Sequence, residues 1–328
     1  MARNPIIWMD YPDIDVIRVD DTYYMISTTM HFMPGGVILR SYDLVHWEIC
    51  SYVYDILEDT PGQRLDDSKG VYGKGMWAAS LRFHDGRFYV CFVANDTRRT
   101  YLYQSDSITG PWTRQYIEGF YHDNSILFDD GRIYIVYGNT TISIVELNDG
   151  LTAPKPGGLD KVILEDDRGR YKLGYEGAHI YKINGYYYIF LIHWLKNESG
   201  RRVEACFRAK TLDSEWRGGD VLNADLGFMN AGVAQGGIVD TLDGGWYAML
   251  FQALFVGGTK GAPLFDSPAG WAAPVVCVTL AEQPIYDELA PLLTHIYELK
   301  RQVERQMYAL DQQRNEFTNT TDHMDEGF

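Results

Sequence analysis

YEGAHIYKINGYYYIFL, residues 175–191, reads as two strands joined by a tight turn. Asn184-Gly185 is a strong hairpin signal, because a type I′ turn needs positive φ at both central positions and these two residues tolerate it. The same phrase returns as VIRVDDTYYMI at 16–26, SLRFHDGRFYVCF at 80–92, SILFDDGRIYIVY at 125–137 and GIVDTLDGGWYAML at 237–250, giving five copies. Setting Asp21, Gly86, Gly131, Gly185 and Gly244 in register places an aromatic three residues later each time, at Tyr24, Tyr89, Tyr134, Tyr188 and Tyr247.

Reading back eight or nine residues from those anchors gives Asp13, then Trp77 and Ala78, then Asp123, Glu176 and Gln235. Three of the five positions carry a carboxylic acid. If the copies are equivalent units, these residues occupy one rung at the start of each innermost strand and converge on a common axis. Periods of roughly 40 to 60 residues, each holding several short strands, predict an all-β, five-bladed β-propeller, since such blades bury their faces only by stacking on one another. The phrases SYDLVHW at 41–47, SDSITGPW at 105–112 and KTLDSEW at 210–216 echo one another as outer hairpins and support that count.

The chain has 328 residues and a formal charge of −16, which argues against nucleic acid or an anionic membrane surface as partner. Aromatic residues make up 14% of it, with 24 Tyr, a content that suits stacking on sugar rings as well as strand cores. Cys50, Cys91, Cys206 and Cys277 show no short spacing, and Cys91 and Cys206 fall inside strand patterns, so buried free thiols are expected. The first residues run into a strand-like segment without an apolar signal region, and no stretch approaches the ~20 apolar residues of a membrane span. A cytoplasmic protein is expected.

Along the chain, Pro12 fixes the turn that holds Asp13. Residues 55–75 and 150–174 read as long connections, the first as a wall of a pocket. Residues 1–281 are assigned to the propeller. From 282 to 328 a C-terminal helical extension is expected, with Ile285, Leu289, Leu292, Ile296, Leu299, Val303 and Leu310 forming a heptad-like seam fit for a homo-oligomer, followed by a frayed tail.

From Asn4 to Gln252 the chain resembles glycoside hydrolase family 43, the five-bladed propellers that include β-xylosidases and α-L-arabinofuranosidases. The likeness is carried by NPII and YPD before Asp13, STTMHFMPGGVILRSYDLVHWE, KGMWAASLRFHDGRFYV, HDNSILFDDGR and YEGAHIYKINGYYY. It implies that Asp13 is the general base, Glu176 the general acid, and Asp123 a third acid that tunes Glu176 and orients the sugar. It also implies inversion at the anomeric carbon, for which acid and base stand roughly 6.5 to 9.5 Å apart to admit a water.

Trp77 shares the rung of the acids and is expected to stack on the sugar face, the resemblance puts His31 and Phe32 in the pocket, His193, after blade four, is expected to face the substrate cleft, and Gln235 is a further substrate-binding candidate. Gln235 stands where many relatives have a histidine that helps hold an axial metal, so no metal ligand is assigned; a calcium ion is compatible with the pattern and no cofactor is required by it. Where relatives carry an arginine after the last aromatic strand, this chain has Thr259 and Lys260. The expected activity is exo-acting release of a terminal pentose, β-D-xylose or α-L-arabinofuranose, from xylo-oligosaccharides or arabinoxylan fragments. The alternatives are arabinan trimming and a carbohydrate-binding propeller with a vestigial site.

Overall fold

The repeated turns fold as their residues dictate. Asp85-Gly86 has φ of 48° and 76°, Asp130-Gly131 50° and 71°, and Asn184-Gly185 49° and 77°, the left-handed pairs that match the twist of the flanking strands. The computed structural model describes residues 4–66, 70–71, 73–166, 171–196, 201–226, 232–255, 271–272 and 275–279. Within them the strands form five antiparallel sheets, the five blades of a propeller.

Blade one runs β1 (Asp15–Val19), β2 (Thr22–Ser27), β3 (Gly35–Ser41) and β4 (Glu48–Tyr54). Blade two runs β5 (Met76–His84), β6 (Arg87–Ala94), β7 (Arg99–Ser105) and β8 (Thr113–Ile117). Blade three comprises β9 (Ser125–Asp129), β10 (Arg132–Asn139), β11 (Thr141–Leu147) and β12 (Asp160–Glu165). Blade four comprises β13 (Tyr171–Ile183), β14 (Tyr186–Leu195), β15 (Arg202–Ala209) and β16 (Arg217–Leu222). Blade five holds β17 (Gly232–Asp240), β18 (Trp246–Phe255), the short β19 (Trp271–Ala272) and β20 (Val275–Thr279), the last two both paired with β18.

The connection expected over 150–174 is not all loop. Asp160–Glu165 is the outermost strand of blade three, pairing with β11 through a bulge at Ile142/Ser143. In DKVILE the apolar run is only Val162-Ile163-Leu164, set between charged residues, and it stays partly exposed because an outer strand buries little of itself. The helix expected over 282–328, together with Thr259 and Lys260, lies outside the described residues.

Each inner strand has one edge paired inside its own blade and one edge free. A free N–H in a buried place is costly, and here the neighbouring blade supplies its acceptor. Leu81 N–H donates to Asp15 Oδ2 (2.8 Å), Ile126 N–H to Ser80 Oγ (3.1 Å) and Ile180 N–H to Ser125 Oγ (3.1 Å). Asp15, Ser80 and Ser125 each stand six residues before their turn anchors, so one latch is used three times. Between blades four and five the acceptor is the Tyr181 hydroxyl, which takes the Ile238 N–H at 3.0 Å. Gly237 makes room for it: a Cβ there would lie 1.9 Å from that oxygen.

Arg82 ties these latches together. Its guanidinium pairs with Asp15 at 2.6 Å and donates to Ser125 Oγ (2.7 Å) and to Ile126 C=O (2.9 Å), joining blades one, two and three. His179 adds a fourth, with Nε2 3.2 Å from the Ile14 carbonyl oxygen. Apolar clusters fill the seams outside this polar hub. Ile26, Ile38, Leu81 and Phe92 pack between blades one and two, Leu102, Ile126 and Ile135 between two and three, and Val136, Ile144, Ile180 and Leu191 between three and four.

The ring closes through chain segments far apart in sequence. Ile7 bridges Val275 in antiparallel fashion, with Val275 N–H donating to Ile7 C=O at 3.1 Å. The Asn4 side chain imitates a peptide, donating to Cys277 C=O (2.8 Å) and accepting from Cys277 N–H (2.9 Å). Residues 4–7 thus serve as an extra outer strand of blade five, and Val16, Met25, Val239, Met249 and Val275 share the core beneath them.

Replacing Arg82 by Met leaves the buried Asp15 carboxylate without its cation, and a loss of about 3–5 kcal/mol in unfolding free energy is expected. Urea denaturation followed by tryptophan fluorescence measures it; a loss below 1 kcal/mol would mean that the hub does not hold the blades.

Candidate active site

The inner strands of blades one, three and four start irregularly. Asp13 (φ 52°), Asp123 (φ 49°) and Gly177 (φ 71°) are left-handed, and all three stand eight residues before their turn anchors. Aspartate visits that region more readily than most residues, and glycine does so freely. In blades one and three the left-handed residue is itself the acid. In blade four it is Gly177, and the acid is the residue before it. The β13–β14 ladder breaks register on both sides of Glu176 accordingly. This is why the three acids do not align at a single spacing.

The acids come together with a histidine. His122 Nδ1 lies 3.6 Å from Asp123 Oδ1 and its Nε2 3.9 Å from Glu176 Oε2. One side-chain atom each from His122, Asp123 and Glu176 falls within 4.8 Å of the others. Asn139, at the end of β10, donates its Nδ2–H to Glu176 Oε2. Asp123 is buried and Glu176 nearly so, while Asp13 is half-buried.

Burial pushes the Asp13 carboxyl up to about 6; the Thr28 hydroxyl, Arg202 and His122 hold it down, while the Glu176 charge raises it further. Asp123 is pushed up to about 7 by burial, opposed by His122 and reinforced by Glu176 and Asp13. For His122 burial works downward, yet Asp123, Glu176 and Asp13 together outweigh it and lift the imidazole to about 9. Three acids and one imidazolium therefore act on one another at one end of the inner strands.

Of the remaining residues expected in the site, Trp77 sits edge-on to the His122 ring, centroids 5.4 Å apart. His31 and Phe32 belong to a loop docked on the start of β5. Met76 N–H donates to Met30 C=O (3.1 Å), and Gly73 N–H donates to His31 Nδ1 (3.0 Å). Phe32 tilts against His31 and is 63% exposed, an aromatic face open to a ligand. Gln235 packs on the residue after Glu176, since a Cβ on Gly177 would lie 2.8 Å from the Gln235 side chain.

His193 is placed elsewhere than at the cleft. It is 2% exposed, bonds Asp220 through Nε2 at 2.7 Å, and lies against the Tyr171 and Tyr175 rings. Strand β14 turns it into the body of blade four. Conversely, His122 and Asn139 are site residues that spacing alone did not single out. His122 had a signal: it stands nine residues before Gly131, as Glu176 does before Gly185.

Three carboxyls and a histidine thus gather at the inner-strand starts of a five-bladed propeller. The profile described as glycosyl hydrolases family 43 matches residues 2–254, and the chain belongs to that family. It is 29% identical over 268 residues to a β-xylosidase of Formosa agariphila, covering 75% of this chain and 45% of that protein. A non-reducing end α-L-arabinofuranosidase of Bacteroides ovatus is 28% identical over 286 residues, 83% of this chain and 52% of its own. Among solved structures, a bifunctional GH43-CE protein of Bacteroides eggerthii superimposes with a TM-score of 0.72 at 38% identity, over 84% of this chain and 37% of that one. The chain spans about half the length of the curated relatives it matches.

Asp13, Asp123 and His122 all hold protons more tightly in the folded chain than at their ordinary values of 3.8, 3.8 and 6.5. The folded state then binds more protons than the unfolded one, so stability falls as pH rises: from 3.8 to about 7 for the acids and from 6.5 to about 9 for His122. Asp123→Asn removes one of these buried charges. A higher melting temperature than the parent at pH 8, with the gap closing near pH 4, is expected by differential scanning calorimetry; equal melting temperatures at pH 8 would contradict it.

Proposed function

We propose that the chain is an exo-acting, inverting glycosidase that releases a terminal pentose, β-D-xylose or α-L-arabinofuranose, from xylo-oligosaccharides or arabinoxylan fragments. The observation that carries this reading is the cluster itself: three carboxyls from three blades, each within electrostatic reach of the others, with Trp77 edge-on to the histidine among them. The names borne by the relatives from Formosa agariphila and Bacteroides ovatus supply the pentose class.

In this mechanism Asp13 accepts a proton from a water molecule, whose oxygen attacks the anomeric carbon. Glu176 gives its proton to the departing oxygen as the glycosidic bond breaks. The proton gained by Asp13 and the one lost by Glu176 are then exchanged with solvent. Asp123 transfers nothing; with His122 it sets the field in which the positive charge of the oxocarbenium-like transition state develops. Asn139 holds the Glu176 carboxyl in place. Trp77 lies edge-on to His122 and completes the wall beside that pair.

Hydrolysis of xylobiose should fall by roughly 10³-fold in Asp13→Asn and in Glu176→Gln. With an activated aryl xyloside, whose leaving group needs no proton, Glu176→Gln should lose far less than Asp13→Asn. Proton NMR of the first-formed sugar should show the inverted anomer. Retained configuration, or parent-like turnover of xylobiose by either variant, would refute the assignment.

A further inference from the structure

His179 is a buried titratable group that the reaction as described leaves unused. It is 3% exposed and stands three residues after Glu176 on β13. Its Nδ1 lies 3.0 Å from the carbonyl oxygen of Gly177, the residue after the general acid. Its Nε2 lies 3.2 Å from the carbonyl oxygen of Ile14, the residue after the general base. One flat ring thus spans the backbones that carry Asp13 and Glu176, in a site whose acid and base must stand roughly 6.5 to 9.5 Å apart.

Three blades meet on that ring. Besides Ile14 from blade one and Gly177 from blade four, blade five brings the bare backbone of Gly237, where a Cβ would lie 2.9 Å from His179 Cδ2. The Asp15 carboxylate of β1 faces Nε2 through Oδ1 at 3.6 Å, and that oxygen is buried with no hydrogen-bond partner among the described residues. The other Asp15 oxygen pairs with Arg82 of β5. Burial holds the imidazole below its ordinary value of 6.5 against the pull of Asp15, with Arg82 assisting. A neutral imidazole has one N–H. Two oxygens face Nε2, one of them a carboxylate's, and one faces Nδ1, so the proton belongs on Nε2, where Ile14 C=O accepts it. The bare Nδ1 and the Gly177 carbonyl oxygen, both carrying lone pairs, hold each other off.

We propose that His179 is the spacer of the active site: as the Nε2–H tautomer it ties Ile14 to blade four, its bare Nδ1 keeps the Gly177 carbonyl at a fixed distance, and together these contacts set the gap between Asp13 and Glu176. It acts through two backbones and is therefore a positioning residue. This role rests on the glycosidase reading.

The test has two readouts on the whole chain. Glutamine carries an amide N–H to the place of Nε2, whereas asparagine reaches only as far as Nδ1. His179→Gln therefore keeps the bond to Ile14, and its kcat for xylobiose should stay within roughly fivefold of the parent's. His179→Asn loses that bond, and kcat should fall roughly 10²-fold with KM little changed, the cost of misplaced reacting groups. In an Asp13→Asn background, followed with the aryl xyloside, His179→Asn should cost little more, because the base it positions is already gone. The second readout needs no glycoside: ¹⁵N NMR of the histidine-labelled parent at pH 7, with His179 assigned through its backbone, should show a protonated Nε2 slow to exchange with water and a bare Nδ1. Equal losses in His179→Gln and His179→Asn at parent-like circular dichroism, or a full further loss in the Asp13→Asn background, overturn the proposal. A ring with its proton on Nδ1, or on both nitrogens, overturns it too, and decides the matter should the variants fail to fold. A parent chain that hydrolyses neither xylosides nor arabinofuranosides overturns the glycosidase reading instead, and the ring spectrum still decides whether His179 ties the two strand starts.

Discussion

The free edge of each innermost strand is the constraint around which this molecule is organised. A strand beside the axis has no further strand to pair with, so its outward-turned N–H groups need acceptors from another source. Asp15, Ser80, Ser125 and Tyr181 provide them, each reaching from one blade to the next. Because three of these acceptors occupy the same step before the turn, the hydrogen bonds also fix the height at which neighbouring blades meet. Arg82, paired with the buried Asp15, converts the separate latches into one network.

Fixing that height places the acids. Asp13 and Asp123 come two residues before the latch acceptors Asp15 and Ser125, and Glu176 comes four before the latch donor Ile180, so a hub built for stability delivers the carboxyls to a common ring. The left-handed residues at Asp13, Asp123 and Gly177 then bend each strand start. The resulting cluster is electrostatically costly: burial and mutual repulsion raise Asp13 and Asp123, and the gathered acids lift His122 in turn. The stability of the hub and the apolar seams offsets that cost, an ordinary division of labour between a scaffold and its site.

Much of this was legible in the chain because turn chemistry is local. Asn184-Gly185 and its cousins admit one backbone geometry, so counting back from them locates the strand starts, and Asp13, Asp123 and Glu176 follow. His122 shared the same column and was passed over because its neighbour Asp123 already filled the expected role. The outer strand Asp160–Glu165 is hard to see in the sequence, since its apolar run is three residues long and the segment around it is rich in Gly, Pro and charge. His193 could not be sorted by spacing at all. Which face of blade four it takes depends on how β13, β14 and β15 pack against their neighbours, and the turn anchors say nothing about that.

The pairing of Asn4 with Cys277 and of Ile7 with Val275 spans 273 residues for its longest bond. The segment that closes the ring leads directly into Asp13. Residues 4–7 precede the last blade in the chain and find their partners only there, whereas Pro12, beside Asp13, is already held within blade one by Thr28 N–H and the Ser27 hydroxyl on its carbonyl oxygen. Contacts so distant in sequence form slowly, since the whole intervening chain must be drawn together first. Ring closure therefore waits on the far end of the propeller, and a chain cut short before Val275 would lack the clasp that joins blade five to the segment leading into blade one.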